Sequence, residues 1–303
     1  RLRTRNELAK KVYSQGARRL QKQKGLSLRR SCKLLGISRQ AVYQREKRTE
    51  RRNIELAPIK SMVMDLRRFM PRIGGRKLYS LLKPTFDEHG IKLGRDGFFD
   101  YLRKHRLLVE PVKRYTKTTH SKHWMKKHPN LFEGQEINRA EQAFVSDITY
   151  VETDEGVHYL SLVTDAYSRK IMGYEVSANM RAESVVKALK RAARQRQTQR
   201  SLIHHSDRGL QYCSELYQRE LKHHNITPSM TDGYDCYQNA LAERVNGILK
   251  QEFLLYKCRD LRELKSLVRD SVDIYNRLRP HLSLDMKTPE EVHKKATSTG
   301  EVA

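Results

Sequence analysis

The middle of the chain contains short apolar and β-branched runs separated by polar turns, a pattern that predicts β-strands. The first three runs follow one another through turns too short for a crossover, so they are expected to be antiparallel. Two shorter runs come later and are separated by helical patterns. The five predicted strands are AFVSDITYVET (143–153), VHYLSLVTDAYS (157–168), KIMGYEVSA (170–178), SLIHHSD (201–207) and ITPSM (226–230).

Segments with an apolar residue every three or four positions predict amphipathic helices around these strands. They are AESVVKALKRAARQRQ (182–197), SELYQRELKHHN (214–225), YQNALAERVNGILKQE (237–252) and DLRELKSLVRDSVDIYNRL (260–278). Three antiparallel strands followed by strands that alternate with helices indicate a mixed five-stranded sheet covered on both faces. This order matches the ribonuclease-H-like fold. Residues 142–292 are therefore predicted to form one α/β domain, followed by a tail over 293–303.

The first half of the chain is predicted to be all helical, beginning with a helix-turn-helix in residues 1–52. In the segment LSLRRSCKLLGISRQAVYQREKR, Ser27 is expected to cap a first helix, Gly36 to end it and Ser38 to cap a second one. Serine suits these positions because its hydroxyl accepts a hydrogen bond from an unpaired amide of the first turn.

Residues 53–108 are predicted to be a second helical module. Pro58 is expected to begin a helix that ends at Met70, because proline suits the first helical turn and Pro71 cannot continue one. Two further helices are expected in GGRKLYSLLKPTF and RDGFFDYLRKHRLL. Residues 109–141, which contain prolines and no clear period, are predicted to be a basic linker.

Charge divides the chain in the same way as the predicted elements do. Residues 1–50 contain 16 Lys or Arg against 3 Asp or Glu, and residues 51–142 contain 21 against 10. Residues 143–303 are nearly balanced, with 24 against 22. Positive charge concentrated in one half of a protein favours a polyanionic partner, most often nucleic acid. We therefore expect double-stranded DNA as the partner.

The start of the second helix of the predicted helix-turn-helix is the candidate surface for reading DNA. Such a helix presents its N-terminal side chains to base edges and phosphates in the major groove. The candidate DNA contacts are Arg39, Gln40, Tyr43 and Arg45. The alternative is an ordinary helical hairpin on a basic surface.

Several other kinds of protein are not expected. The chain contains no run of 18 apolar residues, so no membrane span is predicted. No secretory signal is recognised at its start. The first residue is Arg1, which suggests a processed product. Four scattered cysteines favour a reducing compartment, and we expect a bacterial, cytoplasmic, nucleoid-associated protein. No glycine-rich nucleotide-binding loop occurs, so ATP or NAD is not expected. A zinc site at His120, His123 and His128 is disfavoured because no further ligand pair is near in sequence.

Three acidic residues are the candidate catalytic and metal-binding residues. Asp147 lies within the first predicted strand, Asp207 at the end of the fourth, and Glu243 on the helix over 237–252. Thirty-five residues, 208–242, separate the second acid from the third. Carboxylates that converge in this way hold hard divalent cations, so two Mg²⁺ ions, with Mn²⁺ as a substitute, are predicted for phosphoryl transfer on DNA.

The helix that carries the third acid is expected to divide into two faces, because residues three, four and seven apart share a face. The polar face contains Asn239, Glu243, Asn246, Gly247 and Lys250, and the opposite face contains Leu241, Val245 and Ile248. Lys250, two turns after Glu243, and Arg208 are candidate contacts to DNA phosphates, although Arg208 has a pairing with a nearby acid as its alternative.

Four other acids compete for a catalytic role and are judged unsuitable. Asp165 ends the second predicted strand, and Asp232 and Asp235 lie in a predicted turn between strand and helix. Acids at such positions commonly accept hydrogen bonds from the backbone. Glu252 follows Glu243 by nine residues, which places it on the opposite side of a regular helix.

At these residues the chain resembles the DDE transposases of the retroviral-integrase-like insertion-sequence type. The similar blocks are SDITYVET around Asp147, HSDRGLQY around Asp207, NALAERVNGILKQE around Glu243 and YNRLRPHLSLDMKTPEEV at 275–292. The resemblance implies Mg²⁺- or Mn²⁺-dependent cleavage of the 3′ ends of a mobile element and their joining to DNA by direct transesterification. It also implies terminal inverted repeats and target DNA as partners, and an assembly of at least two copies.

Two other functions remain compatible with these residues. One is a catalytically silent DNA-binding regulator, which has no need for three converging carboxylates. The other is a nuclease of the same fold that cuts DNA without joining it, and it needs the same metal site.

Overall fold

The computed structural model describes residues 2–110, 126–232 and 239–298, with side chains from residue 12 onward. His120, His123, Asp235 and Tyr237, which figure in the predictions, lie outside these ranges. The chain divides into two compact units, one formed by residues 1–64 and 85–92 and the other by residues 65–84 and 93–303. None of the helices in the described ranges is both long and apolar enough to span a membrane.

The first unit is built on helices. They are α1 (Leu2–Lys24), α2 (Leu28–Leu34) and α3 (Arg39–Phe69), the last of which continues into the second unit. Ala17, Leu28, Cys32 and Val42 form their small buried core. The Ser27 hydroxyl accepts a hydrogen bond from the Arg30 amide at 3.3 Å, and the Ser38 hydroxyl accepts one from the Ala41 amide at 3.1 Å. The predicted pair of helices with its serine caps is confirmed.

The predicted helix start at Pro58 is wrong, because Pro58 lies inside the 31-residue helix α3. A proline within a helix costs about 3 kcal/mol through a lost hydrogen bond and a steric clash. Ile59 and Val63 follow it and are fully buried, and burying each such side chain contributes roughly 1.5–3 kcal/mol. Burial therefore offsets the proline, which local sequence rules alone do not reveal.

The helices after α3 follow the predicted pattern. They are α4 (Gly75–Glu88), which contains Pro84, and α5 (Arg95–Lys104). Leu78 of α4 and Phe98 and Leu102 of α5 are fully buried within the second unit. The apolar spacing that predicted both helices is thus the spacing that the fold buries.

The predicted mixed five-stranded sheet is confirmed. Its strands are β1 (Ala143–Thr153), β2 (Gly156–Asp165), β3 (Ile171–Ser177), β4 (Leu202–Ser206) and β5 (Ile226–Met230). The order across the sheet is β3-β2-β1-β4-β5. β1 pairs with β2 and β2 with β3 in antiparallel fashion, whereas β1 pairs with β4 and β4 with β5 in parallel.

Helices accompany both faces of the sheet. They are α6 (Ala182–Arg194), α7 (Leu210–Cys213), α8 (Glu215–His223), α9 (Ala240–Ile248), α10 (Leu261–Arg277) and α11 (Pro289–Ser298). Phe144 packs with α6 and α8, and its neighbour Val145 packs with Ala242 of α9, as expected because successive strand residues face opposite sides. The short helix α7 and the helix α11 were not predicted.

The helix α10 packs on β3, the strand at one edge of the sheet. The side-chain amide of Asn276 donates to the Ile171 carbonyl at 3.0 Å and accepts from the Ile171 amide at 2.9 Å. The Tyr275 hydroxyl donates to the Arg169 carbonyl at 3.0 Å. Both residues belong to the block at 275–292, so a structural role in holding α10 on β3 accounts for its first two positions.

The last helix, α11, is held by a buried ionic cluster. The ring of His293 lies 3.5 Å from the Glu141 carboxylate and 3.8 Å from that of Asp165, and all three side chains are fully buried. Burial alone lowers the pKa of His293, but hydrogen bonds and charge from the two carboxylates outweigh it and raise that pKa. Packing thus extends past residue 292, where the predicted tail begins.

Candidate active site

Strand pairing brings the first two predicted acids side by side. β1 and β4 are parallel, and Val145 is paired with His205. Two residues further along each chain are Asp147 and Asp207. Because neighbouring strands lie about 4.8 Å apart, this register brings Asp147, on β1, and Asp207, directly after the end of β4, to the same end of the sheet.

The third acid comes from α9, which packs against the same face of the sheet. Ala242, directly before Glu243, is buried with Val145 and Ala166, so the helix is anchored next to β1. Glu243 itself is exposed in the first turn of α9. A small residue at position 242 allows this close approach between helix and strand.

The pKa of Asp147 records the proximity of the other two acids. It is raised from its usual value of 3.8 to about 7, first by burial and then by the negative charges of Asp207 and Glu243, against an opposing hydrogen bond from Asn246. A like charge disfavours ionisation only when it is near. The three predicted acids therefore form one electrostatic group.

These acids do not form a closed cage of ligands. Within the described ranges, no group of three or more His, Cys, Asp or Glu side chains is arranged to hold a metal ion. The donor chemistry nevertheless suits a hard cation, since carboxylate oxygens repel one another here and a cation relieves such repulsion. Next to them, Asn246 Oδ1 is buried and accepts no hydrogen bond from the described residues, which leaves an oxygen available to a bound water.

Asn246 is a site residue that the sequence analysis did not single out. Its side-chain amide donates to Asp147 Oδ2 at 2.9 Å, a contact that lowers the pKa of Asp147. The sequence analysis placed Asn246 on the same polar face as Glu243, and the structure buries it there against the sheet. Its spacing of three residues from Glu243 was the available signal, since it sets both side chains on neighbouring parts of one helix face.

The helix that carries Glu243 is not a regular α-helix through to Glu252, as was predicted. The α-helical part ends at Ile248, and a π-helical turn, Leu249–Phe253, follows. The buried residues of α9 and of this turn are Ala242, Val245, Asn246, Leu249 and Phe253. The apolar face had been expected to contain Leu241, Val245 and Ile248. Such turns are rare and occur frequently at functional sites.

Lys250 lies beside the acids. Its ammonium donates to the Thr149 hydroxyl at 3.2 Å and lies 4.2 Å from the centre of the Tyr150 ring. Burial lowers the pKa of Lys250, and the charges of Asp147 and Glu152 oppose that shift. The structure thus joins this residue to the strand that carries Asp147.

Glu252 is occupied by a separate ionic contact. Arg279 holds both of its carboxylate oxygens, at 2.8 and 2.7 Å, and the Lys77 ammonium is 3.2 Å away. Burial raises the pKa of Glu252, but the contacts to Arg279 and Lys77 outweigh it and lower that pKa. The prediction that Glu252 cannot substitute for Glu243 agrees with these contacts.

Arg208 and Asp165, two further residues considered in the sequence analysis, both form polar contacts with neighbouring groups. Arg208 lies 3.7 Å from Asp232, the acid-pairing alternative considered for it. Asp165, the last residue of β2, accepts hydrogen bonds from the Glu141 and Ser168 amides, both at 2.7 Å, as expected of an acid with a structural role.

The predicted base-reading residues belong to the first unit, at the start of α3. Arg39, Gln40 and Tyr43 are exposed, and Arg45 is half-buried. The Arg18 guanidinium lies 5.5 Å from the centre of the Tyr43 ring. DNA contact by these residues stays a prediction.

Comparison with known protein families gives two matches within the α/β domain. The family described as integrase core domain matches residues 138–236, and a second family of the same description matches residues 224–289. Together the two ranges include all five strands and the three acids.

Relatives of known name resemble nearly the whole chain. A protein described as insertion element IS600 uncharacterized 31 kDa protein, from Shigella sonnei, is 33% identical over 270 residues, which is 87% of this chain and 97% of that protein. The transposase InsF for insertion sequence IS3A, from Escherichia coli strain K12, is 30% identical over 276 residues, or 89% of this chain and 94% of the relative.

Similar solved structures share 17–18% of residues with this chain. The catalytic core domain of HTLV-2 integrase in complex with magnesium covers 50% of this chain and 96% of its own, with a TM-score of 0.41. The simian T-cell lymphotropic virus intasome, solved in complex with the PP2A regulatory subunit B56 gamma, covers 73% of this chain and 74% of its own, with a TM-score of 0.46.

Proposed function

This chain belongs to the transposase family of IS3-type insertion sequences, and from that premise we propose which of its residues cleave and join DNA. The catalytic residues are Asp147, Asp207 and Glu243. The observation that carries this assignment is geometric: Asp147 on β1 and Asp207 after β4 come to the end of the sheet against which α9, carrying Glu243, packs. Burial and the charges of the other two acids accordingly raise the pKa of Asp147 to about 7. Enzymes keep such mutually repelling carboxylates at sites of chemistry more often than in structural positions.

The three carboxylates would hold Mg²⁺ or Mn²⁺, with two ions per site. When bound, such ions activate the attacking oxygen and stabilise the leaving one. Magnesium retains waters and takes oxygens from substrate phosphates, so an open arrangement of acids suits it. The unpartnered Asn246 Oδ1 beside Asp147 supports the same assignment.

The chain's own side chains orient the acids and the DNA. The hydrogen bond from Asn246 fixes the carboxylate of Asp147 on β1. Lys250, held at Thr149, offers its ammonium to the phosphate next to the reacting bond, and Arg208 offers a guanidinium after β4. In cleavage a water oxygen would attack the phosphorus and the 3′-oxygen of the element's end would leave as a hydroxyl. In joining that 3′-hydroxyl would attack a target phosphorus and displace the 3′-oxygen of the target strand.

The basic first half of the chain would recognise the DNA. Residues 1–52 and 53–108 would bind the terminal inverted repeats, 109–141 would connect them to the catalytic domain at 142–292, and at least two copies would assemble. The distribution of positive charge supports this division, because residues 143–303 are nearly neutral.

A strand-transfer assay tests the proposed function. The full chain is mixed with Mg²⁺, a labelled duplex ending in the element's terminal repeat and a plasmid target, beside the Glu243→Gln variant. We expect joined product from the parent protein and none from the variant. Cleavage without joining would indicate the nuclease, and tight DNA binding with neither reaction would indicate the silent regulator.

Arg39→Ala and Gln40→Ala are expected to relax sequence preference. Their side chains are exposed at the start of α3, and a lost contact to a base edge costs about 1–3 kcal/mol of discrimination. The measurement compares the affinity for the terminal repeat with that for a random duplex of equal length. Equal losses on both duplexes would show that these residues contact the backbone only.

A further inference from the structure

A groove follows the edge of the sheet, away from the three acids. Its floor is formed by Gly173–Val176 of β3, and its walls by the end of α6 and the beginning of α10. It encloses about 690 Å³, enough for several phosphate groups. The groove is shaped by close packing, since a Cβ atom on Gly173 would lie 2.2 Å from the Ala188 carbonyl oxygen of α6.

Positive charge is concentrated in this groove. Its lining includes five cationic side chains, Arg191, Arg194, Arg262, Lys265 and Arg269, against one carboxylate, Glu175. Residues 143–303 contain 24 Lys or Arg against 22 Asp or Glu. A nearly neutral domain that gathers five cations on one surface has an uneven field, which attracts anions to that surface.

Two of the five cations form ion pairs, and the charge of Asp260 acts on a third, Arg262. Arg191 pairs with Glu175 at 2.6 Å, and Arg269 lies 3.3 Å from Asp270. Among the described residues, no carboxylate forms an ion pair with the other three cations, Arg194, Arg262 and Lys265. A guanidinium in this position can bind phosphate oxygens through two parallel hydrogen bonds.

The groove is separate from the proposed active site. β2 lies between β3, which floors the groove, and β1, which carries Asp147. The residues that line the groove include none of the three acids and neither of the proposed phosphate contacts, Lys250 and Arg208. A ligand held here therefore does not occupy the reacting phosphate.

We propose that this groove, defined by Arg191, Arg194, Arg262, Lys265 and Arg269, binds the sugar-phosphate backbone of duplex DNA outside the catalytic site. The proposal rests on the proposed function, which supplies DNA as the partner. Charge complementarity selects this occupant, because each neutralised phosphate releases a counterion from the DNA. A second copy of the chain is a poor occupant, since two-fold pairing would place like charges against each other.

The test removes the three cations that form no ion pair. The variant Arg194→Gln/Arg262→Gln/Lys265→Gln is compared with Lys187→Gln/Arg219→Gln/Lys222→Gln, which removes the same charge from exposed positions outside the groove. Affinity for a random duplex is measured against salt concentration. The slope of log K against log salt is negative, and we expect its magnitude to decrease by about 2 to 3 in the groove variant. In the control variant we expect little change. Equal slopes in the two variants would overturn the proposal.

Two further arms identify the source of the DNA and separate this proposal from the proposed function. If the groove variant loses affinity for an end duplex that extends beyond the terminal repeat, the groove binds element DNA. If it binds that duplex as the parent does but joins less of it to plasmid, the groove binds target DNA. Either result supports the proposal. Sedimentation measures the assembly state of both variants in parallel. An altered assembly state of the groove variant, with a salt slope like that of the parent protein, would overturn the proposal. Absence of cleavage by the parent protein refutes the proposed function, whatever the slopes are.

Discussion

Replacing Asp147 with asparagine abolishes DNA cleavage and joining, with an expected loss of at least about 10³-fold in rate. The amide has nearly the same shape as the carboxylate but carries no charge, so it cannot help to hold a cation between Asp207 and Glu243. It can still accept the hydrogen bond that Asn246 donates to Asp147 Oδ2. Fold and DNA affinity are therefore expected to persist.

Single-turnover cleavage of a labelled terminal-repeat duplex measures this effect. Asp232→Asn is the matched control, because Asp232 is an exposed acid near Arg208 that has been assigned no role in holding the cations. Cleavage by the Asp147→Asn variant within tenfold of the parent rate would remove Asp147 from the catalytic residues.

The same substitution changes how stability depends on pH. The folded pKa of Asp147 is raised to about 7 from 3.8, so its stabilising contribution is present below pH 3.8 and is lost as the pH rises to 7. Without divalent cations, Asp147→Asn is therefore expected to be more stable than the parent at pH 8, by at most about 4 kcal/mol. The difference shrinks toward pH 4, which thermal unfolding at a series of pH values measures.

Replacing Arg279 with methionine is expected to lower the free energy of unfolding by about 3–5 kcal/mol. Arg279 is only 3% exposed and holds both carboxylate oxygens of Glu252. Its loss leaves Glu252 with Lys77 alone, at 3.2 Å, in a site that water scarcely reaches. Breaking a buried pair by removing one partner is costly because the other charge stays buried.

Denaturant unfolding followed by circular dichroism measures this loss. The double variant Glu252→Gln/Arg279→Met is expected to recover part of the stability, because no uncompensated carboxylate remains. Arg277→Met is the surface control, since Arg277 pairs with Asp273 while 66% exposed, and exposed pairs contribute about 0–1 kcal/mol. Equal effects of Arg279→Met and Arg277→Met would contradict a buried role for the ion pair.

Much of the α/β domain was predictable because its signals are local. The strand at 143–153 and the helix at 214–225 follow from short apolar patterns, and Ser214 caps α8 by accepting from the Tyr217 amide, as serine at that position predicts. That Asp147 and Asp207 come to the same end of the sheet needed only the correct strands, because β1 and β4 pair in parallel up to Val145 and His205.

What escaped prediction depends on residues distant in sequence. Lys77 and Glu252 are 175 positions apart, and no periodicity relates them. His293 lies next to Glu141 and Asp165, which are both far from it in sequence. The helical course through Pro58 depends in the same way on burial that a window of local sequence does not contain.

The amide of Asn276 has a consequence beyond holding α10 in place. An edge strand with open amide and carbonyl groups is a template for a strand from another molecule, and such pairing leads to aggregation. The side-chain amide of Asn276 hydrogen-bonds to both the backbone amide and the carbonyl of Ile171, where β3 begins. A strand from another molecule therefore cannot pair with these two groups. Under the proposed function, in which at least two copies assemble on DNA, this contact limits strand pairing between neighbouring copies at that end of β3.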